Sequence, residues 1–122
     1  MRILVVDDET EVTEILGEVL RDRGHEVAVA SCGHEALEVA VWFQPDAALL
    51  DVGLPDIDGV TLAELVRGCV RHRIRVVAFS GHPETRLRGA VRRDVFDDYV
   101  KKPASLATLE AALSPAGTDA HV

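Results

Sequence analysis

Residues 3–8 read Ile-Leu-Val-Val-Asp-Asp, so four apolar residues are followed at once by two carboxylates. Three more apolar runs in the chain also end on charged or reactive side chains. If these runs are parallel strands of one sheet, their carboxyl ends lie side by side, where open α/β sheets hold ligands. The pattern therefore predicts one site that gathers carboxylates, a hydroxyl and a lysine. The other three runs are residues 47–50 before Asp51, residues 76–79 before Ser80, and residues 99–100 before Lys101, Lys102 and Pro103.

Segments of helical period separate these strand-like runs. Their apolar residues recur three and four positions apart, which is the spacing of an amphipathic helix. Strands that alternate with helices indicate a parallel sheet joined by right-handed helical crossovers. We therefore predict an α/β fold of the (βα)5 type, with a doubly wound, five-stranded parallel sheet. The apolar positions are Val12, Ile15, Leu16, Val19 and Leu20; Leu37, Ala40 and Val41; Leu62, Leu65, Val66, Cys69 and Val70; Leu87, Ala90 and Val91; and Leu106, Leu109 and Leu113.

The length and composition of the chain fit one domain. It has 122 residues, of which 48% are hydrophobic, and this is enough for one core of ordinary size but too little for two. We expect a domain over residues 1–113 and a short, flexible polar tail over residues 114–122. The apolar runs are too short to span a bilayer, and the first residues lack the basic region, apolar stretch and cleavage site of a secretory leader, so we expect neither export nor a membrane anchor. We therefore expect no membrane partner. Because the chain has only two cysteines, Cys32 and Cys69, we expect reduced thiols and a cytoplasmic protein.

The charge balance excludes one class of partner. The chain has 21 acidic and 13 basic residues, which gives a formal net charge of -8. Domains that bind a phosphate backbone carry clustered positive charge instead. We therefore expect no direct binding of nucleic acid.

Asp7, Asp8 and Asp51 are the candidates for a metal site. Like charges about 4 Å apart repel each other by on the order of 4 kcal/mol per pair at an effective dielectric constant near 20. A divalent cation offsets this repulsion, and an all-oxygen site favours Mg²⁺, with Mn²⁺ as a substitute, over zinc. The alternative is that these aspartates cap helices or face solvent, since Asp8 and Glu9 lie just before a predicted helix.

Asp51 is the candidate nucleophile of the site. An aspartate carboxylate can attack phosphorus and form an aspartyl phosphate. The charge on the phosphoryl oxygens is then stabilised by a metal, a cation on a flexible arm and a hydroxyl donor, and Ser80 and the lysine pair offer the last two. Neighbouring strand residues point to opposite faces, so these residues alone leave open whether Lys101 or Lys102 reaches the site.

Taken together, these residues resemble the receiver domain of two-component response regulators over nearly the whole chain. Each motif is modest alone, but their order and spacing are specific. The resemblance implies the flavodoxin-like strand order 2-1-3-4-5 and a stand-alone phosphorelay signalling domain rather than an enzyme. The motifs are Leu-Val-Val-Asp-Asp-Glu at residues 4–9, Leu-Leu-Asp-Val-Gly-Leu-Pro-Asp-Ile-Asp-Gly at residues 49–59, Ala-Phe-Ser-Gly at residues 78–81, and Asp-Asp-Tyr-Val-Lys-Lys-Pro at residues 97–103.

The resemblance also implies a role for each site residue. Asp51 would receive a phosphoryl group from a histidine kinase or a histidine phosphotransfer protein, with self-phosphorylation from small phosphodonors and autodephosphorylation as its only enzymatic activities. Lys102 would contact the phosphoryl group, and the bond from this lysine to Pro103 is usually cis in receivers. Ser80 would bond a phosphoryl oxygen and so let Tyr99 change rotamer, which is the switch of the family. The ligands of Mg²⁺ would be Asp7, Asp8, Asp51 and the backbone carbonyl of Gly53.

A group of arginines indicates where a partner would bind. In receivers the fourth helix, the fifth strand and the fifth helix often form the partner or dimer surface. An unknown downstream protein target is therefore expected on this face, with a phosphorylation-dependent homodimer as its second use. The residues concerned are Arg86, Arg88, Arg92 and Arg93, together with Tyr99.

A second function, from another class, uses the same acidic cluster. An aspartate-nucleophile, Mg-dependent phosphohydrolase of a small α/β fold would need the same three carboxylates. Such enzymes are expected to carry Asp-x-Asp-x-Thr after the first strand, whereas residues 7–10 read Asp-Asp-Glu-Thr. Little of the chain is left for a cap that would cover a substrate.

Overall fold

Strands and helices alternate along the chain in the computed structural model, which describes residues 1–81 and 95–114. The five strands form one parallel sheet in the order β2-β1-β3-β4-β5, which confirms the predicted topology. The helix predicted around Leu87 and the tail from residue 115 onward lie outside the described residues. The strands are β1 (Arg2–Val6), β2 (Glu26–Ala30), β3 (Ala47–Asp51), β4 (Arg75–Ser80) and β5 (Asp98–Lys101). The helices of the described ranges are α1 (Thr10–Asp22), α2 (Gly33–Phe43), α3 (Gly59–Cys69) and α4 (Leu106–Leu113).

Helices cover both faces of the sheet. Leu4 and Val6 of β1 point into a core that α2 and α3 close, whereas Ile3 and Val5 point into a second core closed by α1 and α4. Strands that are buried on both faces have no polar side, and this explains why they read as continuous apolar runs. The sheet is therefore doubly wound, as the sequence predicts.

Some residues of the apolar helical stripes are exposed rather than buried. Leu20 of α1 is completely buried, but Ile15 on the same helix is 61% exposed. Val41 of α2 and Leu65 of α3 are likewise 57% and 44% exposed. These three side chains lie on the margins of their stripes, so helical periodicity overestimates the width of the buried face.

Polar side chains mark where the helices begin. The carboxylate of Asp58 accepts a hydrogen bond from the backbone N–H of Val60 at the start of α3. Ser105 accepts one from Thr108 at the start of α4. Each cap satisfies a backbone donor that has no partner inside its helix.

The cysteines and the lengths of the helices give two further observations. Cys32 and Cys69 are free thiols. Across residues 1–81 and 95–114, no helix combines the length and the apolar character that crossing a membrane requires.

Candidate functional site

The three carboxylates meet at the carboxyl end of the sheet. β1 pairs with β3 so that Val6 stands opposite Leu50, and the aspartates that follow these residues are therefore neighbours. Oxygen atoms of Asp7, Asp8 and Asp51 lie within 4.8 Å of one another. Asp7 and Asp51 are buried, whereas Asp8 is exposed. The predicted acidic cluster is thus formed, with two members shielded from water.

Asp7 is the most constrained of the three carboxylates. Its side chain has no exposed surface. One oxygen accepts a hydrogen bond of 2.9 Å from the backbone N–H of Glu9, and the other accepts one of 2.5 Å from Nζ of Lys102. Both oxygens are therefore engaged within the protein, which is how a buried carboxylate is normally compensated.

Lys102, rather than Lys101, reaches the site. Its backbone N–H donates to the carbonyl of Ser80, and the Lys102–Pro103 peptide bond is cis, as the resemblance implies. Its Nζ lies 3.6 Å from an oxygen of Asp51 and 5.1 Å from the centre of the Phe79 ring. Lys101, by contrast, is exposed.

The ammonium of Lys102 is held in its charged form. Burial opposes this charge, but the hydrogen bond to Asp7 and the nearby carboxylate of Asp51 outweigh it and raise the pKa of Lys102 above its ordinary value. One cation is thus shared between two buried carboxylates.

The negative charge of Asp51 is less fully balanced by hydrogen bonds and nearby cations than that of Asp7. Burial raises the pKa of its carboxyl above the ordinary value of 3.8, and the charge of Asp7 adds to this, although the hydrogen bond from Gly53 and the ammonium of Lys102 act in the opposite direction. The Gly53 bond runs from its backbone N–H to one Asp51 oxygen, at 2.9 Å. The second oxygen of Asp51 is the one that faces Lys102.

Ser80 lies on β4, the strand next to β3, and Tyr99 lies on β5, one strand further from the acidic cluster. Ser80 ends β4 and is buried, and it stands opposite Lys101 in the register with β5. Tyr99 stands opposite Ala78 and is half buried against the core under α2 and α3. Its ring centroid lies 5.8 Å from that of Phe96, which is itself buried. The Phe96 contact is not evident from the sequence, because Phe96 lies outside the strand pattern.

A second contact that sequence reasoning missed fixes the loop after Asp51. The carboxylate of Asp56 accepts hydrogen bonds from the backbone N–H groups of Gly33 and His34 at the start of α2, each at 3.0 Å. It also pairs with the His34 ring at 2.8 Å. These backbone bonds lower the pKa of Asp56. Nothing in the spacing of the chain links Asp56 to a helix that begins 23 residues earlier.

The donor set fits a hard divalent cation. Because the carboxylate oxygens lie within 4.8 Å of one another, each pair of ionised carboxylates repels by about 3.5 kcal/mol or more at an effective dielectric constant near 20. Carboxylate oxygens are the ligands that Mg²⁺ prefers, and the described residues bring no histidine or cysteine to this cluster. Lys102 alone cannot balance three negative charges, so the cluster has the charge and the donor type for such an ion.

A comparison with known proteins identifies the family of the chain. Residues 3–114 match the family model described as the response regulator receiver domain. The transcriptional regulatory protein PrrA of Mycobacterium tuberculosis is 39% identical over 110 residues, a match that covers 90% of this chain and 47% of PrrA. The transcriptional regulatory protein KdpE of the same species is 35% identical over 115 residues, which is 91% of this chain and 50% of KdpE. The chain thus spans about half the length of these curated relatives.

Solved structures show the same relationship. The response regulator TrrA of Thermotoga maritima is 30% identical, with a TM-score of 0.77, and the match covers 89% of this chain and 92% of TrrA. The receiver domain of a sensor histidine kinase of Pseudomonas aeruginosa is 26% identical, with a TM-score of 0.80 and coverage of 92% and 93%. None of these matches supports the phosphohydrolase alternative. The chain therefore belongs to the family of receiver domains of two-component response regulators.

Proposed function

We propose that Asp51 accepts a phosphoryl group from a phosphohistidine of a histidine kinase or a histidine phosphotransfer protein in the cytoplasm. A carboxylate oxygen of Asp51 attacks phosphorus, and an O–P bond forms as the N–P bond to the donor imidazole breaks. The electron pair of the broken bond stays on the imidazole nitrogen, which takes up a proton from water. The product is an aspartyl phosphate on this chain.

The observation that carries this proposal is the unequal engagement of the three carboxylates. Both oxygens of Asp7 are held by Glu9 and Lys102. Asp51 has one oxygen held by the Gly53 N–H and a second oxygen 3.6 Å from the Lys102 ammonium. Asp51 therefore combines a free lone pair with a cation close enough to stabilise charge on an incoming phosphoryl group.

The acidic cluster would hold Mg²⁺, with Mn²⁺ as a substitute, through Asp7, Asp8, Asp51 and the backbone carbonyl of Gly53. When bound, the ion supplies positive charge that neutralises the phosphoryl oxygens. Two related proteins support this assignment. The structure of TrrA is described as a complex with Mg(2+)-BeF, and that of the Pseudomonas receiver as having magnesium coordinated in the active site cleft.

Ser80 and Tyr99 would convert phosphorylation into a change of surface. The Ser80 hydroxyl donates a hydrogen bond to a phosphoryl oxygen, and Tyr99 changes rotamer into the space that this movement opens. The added charge and acceptors favour one of two packings that exist beforehand. A downstream protein, or a second phosphorylated copy, would bind the face around Tyr99 and the arginines at positions 86, 88, 92 and 93. Those four arginines lie outside the described residues.

The intact mass of the protein after incubation with acetyl phosphate tests this function. We expect one added phosphoryl group on the wild type with Mg²⁺, and none with a chelator. Asp51→Asn is the isosteric control and should gain no mass, and Lys102→Met should gain it much more slowly. The later loss of the added mass measures autodephosphorylation. An adduct that persists in Asp51→Asn, or one that forms equally well with chelator, would show that the acceptor or the metal requirement is assigned wrongly.

A further inference from the structure

An exposed patch of unusual composition lies at the end of the sheet opposite the acidic cluster. Trp42 is 67% exposed and Val41 is 57% exposed, although both belong to α2. Arg71 and Arg73 are exposed in the turn between α3 and β4. We refer to these four residues as the amino-edge patch.

Hydrogen bonds hold the two halves of the amino-edge patch together. The side chain of Gln44, just after α2, donates to the carbonyl of Cys69 at 3.1 Å and accepts from the N–H of Arg71 at 2.8 Å. The His72 ring lies 2.9 Å from the carbonyl of Pro45. The end of α2 and the turn after α3 are therefore fixed relative to each other before any partner arrives.

The arginines of the patch differ from their neighbours. Arg67 and Arg75 use their guanidinium groups inside the fold, where they donate to the carbonyls of Ile74 and Ala112 respectively. Within residues 1–81 and 95–114, the guanidinium groups of Arg71 and Arg73 have no hydrogen bond or ion pair. Tryptophan and arginine are the residue types that contribute most at protein interfaces. The composition therefore indicates an interaction surface with an apolar, acidic counterpart.

The same chain carries such a counterpart on α1. An exposed isoleucine, Ile15, is surrounded there by carboxylates, and helical spacing places all of them on one face. The two arginines nearest to this face are already engaged, since Arg21 donates to the carbonyl of Val27 and Arg23 pairs with Glu110. The acidic members of this α1 face are Glu11, Glu14, Glu18 and Asp22.

We propose that the α1 face of a second copy of this chain docks on the amino-edge patch. Ile15 of one copy packs against Val41 and Trp42 of the other, and the carboxylates of α1 pair with Arg71 and Arg73. The two surfaces differ, so the contact is heterologous and joins copies head to tail. It uses neither Asp51 nor phosphorylation, so it stands or falls independently of the proposed function.

The size and charge of the surfaces set the strength of this contact. One helix face on a patch of this kind buries less than about 1,200 Å² in total, which is typical of weak, transient association. Each copy carries a formal net charge of -8, but the screening length at physiological salt is only about 8 Å. Local pairing of carboxylates with arginines therefore outweighs the long-range repulsion at moderate salt.

Trp42 makes the contact directly observable, because it is the only tryptophan of the chain. We expect its emission to shift to shorter wavelengths as the concentration of the unphosphorylated 122-residue protein rises, in parallel with an increase in sedimentation coefficient. The double variant Arg71→Glu/Arg73→Glu and the double variant Glu14→Lys/Glu18→Lys should each weaken association by about tenfold or more. Far-UV circular dichroism confirms that each variant is folded.

Combining the two double variants in one chain is the decisive control. The four changes cancel, so the quadruple variant keeps the net charge of the wild type while the charges at the four substituted positions are exchanged. Glu11 and Asp22 keep their charges, so we expect the quadruple variant to associate more strongly than either double variant. The proposal is overturned if the wild type shows no concentration dependence, if the double variants associate unchanged, or if the quadruple variant stays monomeric. If the copies associate equally well with and without these changes, another surface forms the contact between them.

Discussion

Neutralising Asp51 should stabilise the fold when no metal is present. Asp51→Asn keeps the shape of the side chain and retains an oxygen that can accept the hydrogen bond from the Gly53 N–H. It removes one negative charge from a cluster of three carboxylates whose oxygens lie within 4.8 Å. The balance between this repulsion, the attraction of Lys102 and burial determines the size of the effect.

The magnitude follows from the distances around Asp51. At an effective dielectric constant of about 20, a carboxylate within 4.8 Å destabilises ionised Asp51 by about 3.5 kcal/mol or more, and the Lys102 ammonium at 3.6 Å stabilises it by about 4.6 kcal/mol. Asp7 and Lys102 therefore nearly cancel each other. Asp8 is exposed, so water screens its contribution, and the cost of burying the Asp51 charge decides the sign. We expect Asp51→Asn to raise the free energy of unfolding by about 1 to 2 kcal/mol at neutral pH.

Urea unfolding in the presence of a chelator measures this difference. The pKa of Asp51 is raised in the folded protein, so the folded state binds more protons than the unfolded state as pH rises through the range of this carboxyl. The wild type consequently loses stability over that range, and the advantage of Asp51→Asn grows with it. The advantage reaches its full size once the pH exceeds the raised pKa of Asp51 in the folded state, and it is lost as the pH falls below the ordinary value of 3.8. Added Mg²⁺ should narrow the gap by stabilising the wild type more than the variant.

Asp8→Asn is the matched control for this experiment. It removes the same charge from the same cluster, but at an exposed position, so the gain in stability should be smaller. If Asp51→Asn is less stable than the wild type in chelator, the ammonium of Lys102 overcompensates the carboxylate and the reasoning from burial fails. An equal gain from both variants would mean that repulsion alone, and not burial, sets the energy of Asp51.

Three further changes test the surroundings of the site by urea unfolding. Lys102→Met leaves the buried carboxylate of Asp7 without its cation and should cost about 3 to 5 kcal/mol in chelator, whereas the exposed neighbour Lys101→Met should change stability by less than about 0.5 kcal/mol. Asp58→Ala removes the cap of α3 and should cost about 1 kcal/mol, with Asp58→Asn close to the wild type. Burial opposes ionisation of Asp97, but the hydrogen bonds to its carboxylate outweigh burial and lower its pKa. Ionised Asp97 therefore stabilises the fold at any pH above the ordinary pKa of an aspartate, and this contribution to the free energy of unfolding is lost as the pH falls through the lowered pKa. Asp97→Asn should therefore be less stable at pH 7 by about 1 to 2 kcal/mol and should lose less stability on acidification.

The sequence predicts the sheet well because strand identity and site position come from the same signal. The apolar runs of β1, β3 and β4 are buried on both faces, so the end of each run is marked by the first polar residue, and in a parallel sheet these ends lie at one end of the sheet. Asp51 and Ser80 stand at the ends of β3 and β4 for this reason. The apolar runs thus predict both the strands and the position of the site, and this prediction requires no knowledge of contacts between distant residues.

What the sequence could not predict is the pairing of side chains across the edge. The spacing left the choice between Lys101 and Lys102 open, and nothing in it showed that the lysine would rest on Asp7 rather than on the candidate acceptor. That preference depends on burial: Asp7 has no exposed surface, so it requires a cation more than Asp51 does. The bonds from Asp56 to the start of α2 depend equally on a fold that brings distant segments together.

The arrangement of helix ends at the amino end of the sheet also follows from the parallel topology, although the helical period of α2 wrongly predicts that Val41 is buried there. In a parallel β-α arrangement the helices run back toward the amino ends of the strands, so the end of α2 and the end of α3 must meet there. This meeting brings the end of α2, which carries Trp42, to the turn that carries Arg71, and the bonds of Gln44 and His72 connect the two segments. Helical period assigned Val41 to a core stripe, yet it is 57% exposed beside this junction. In this chain the carboxyl end of the sheet thus gathers the carboxylates of the acidic cluster, whereas the amino end exposes Val41 and Trp42 beside a turn that carries Arg71 and Arg73.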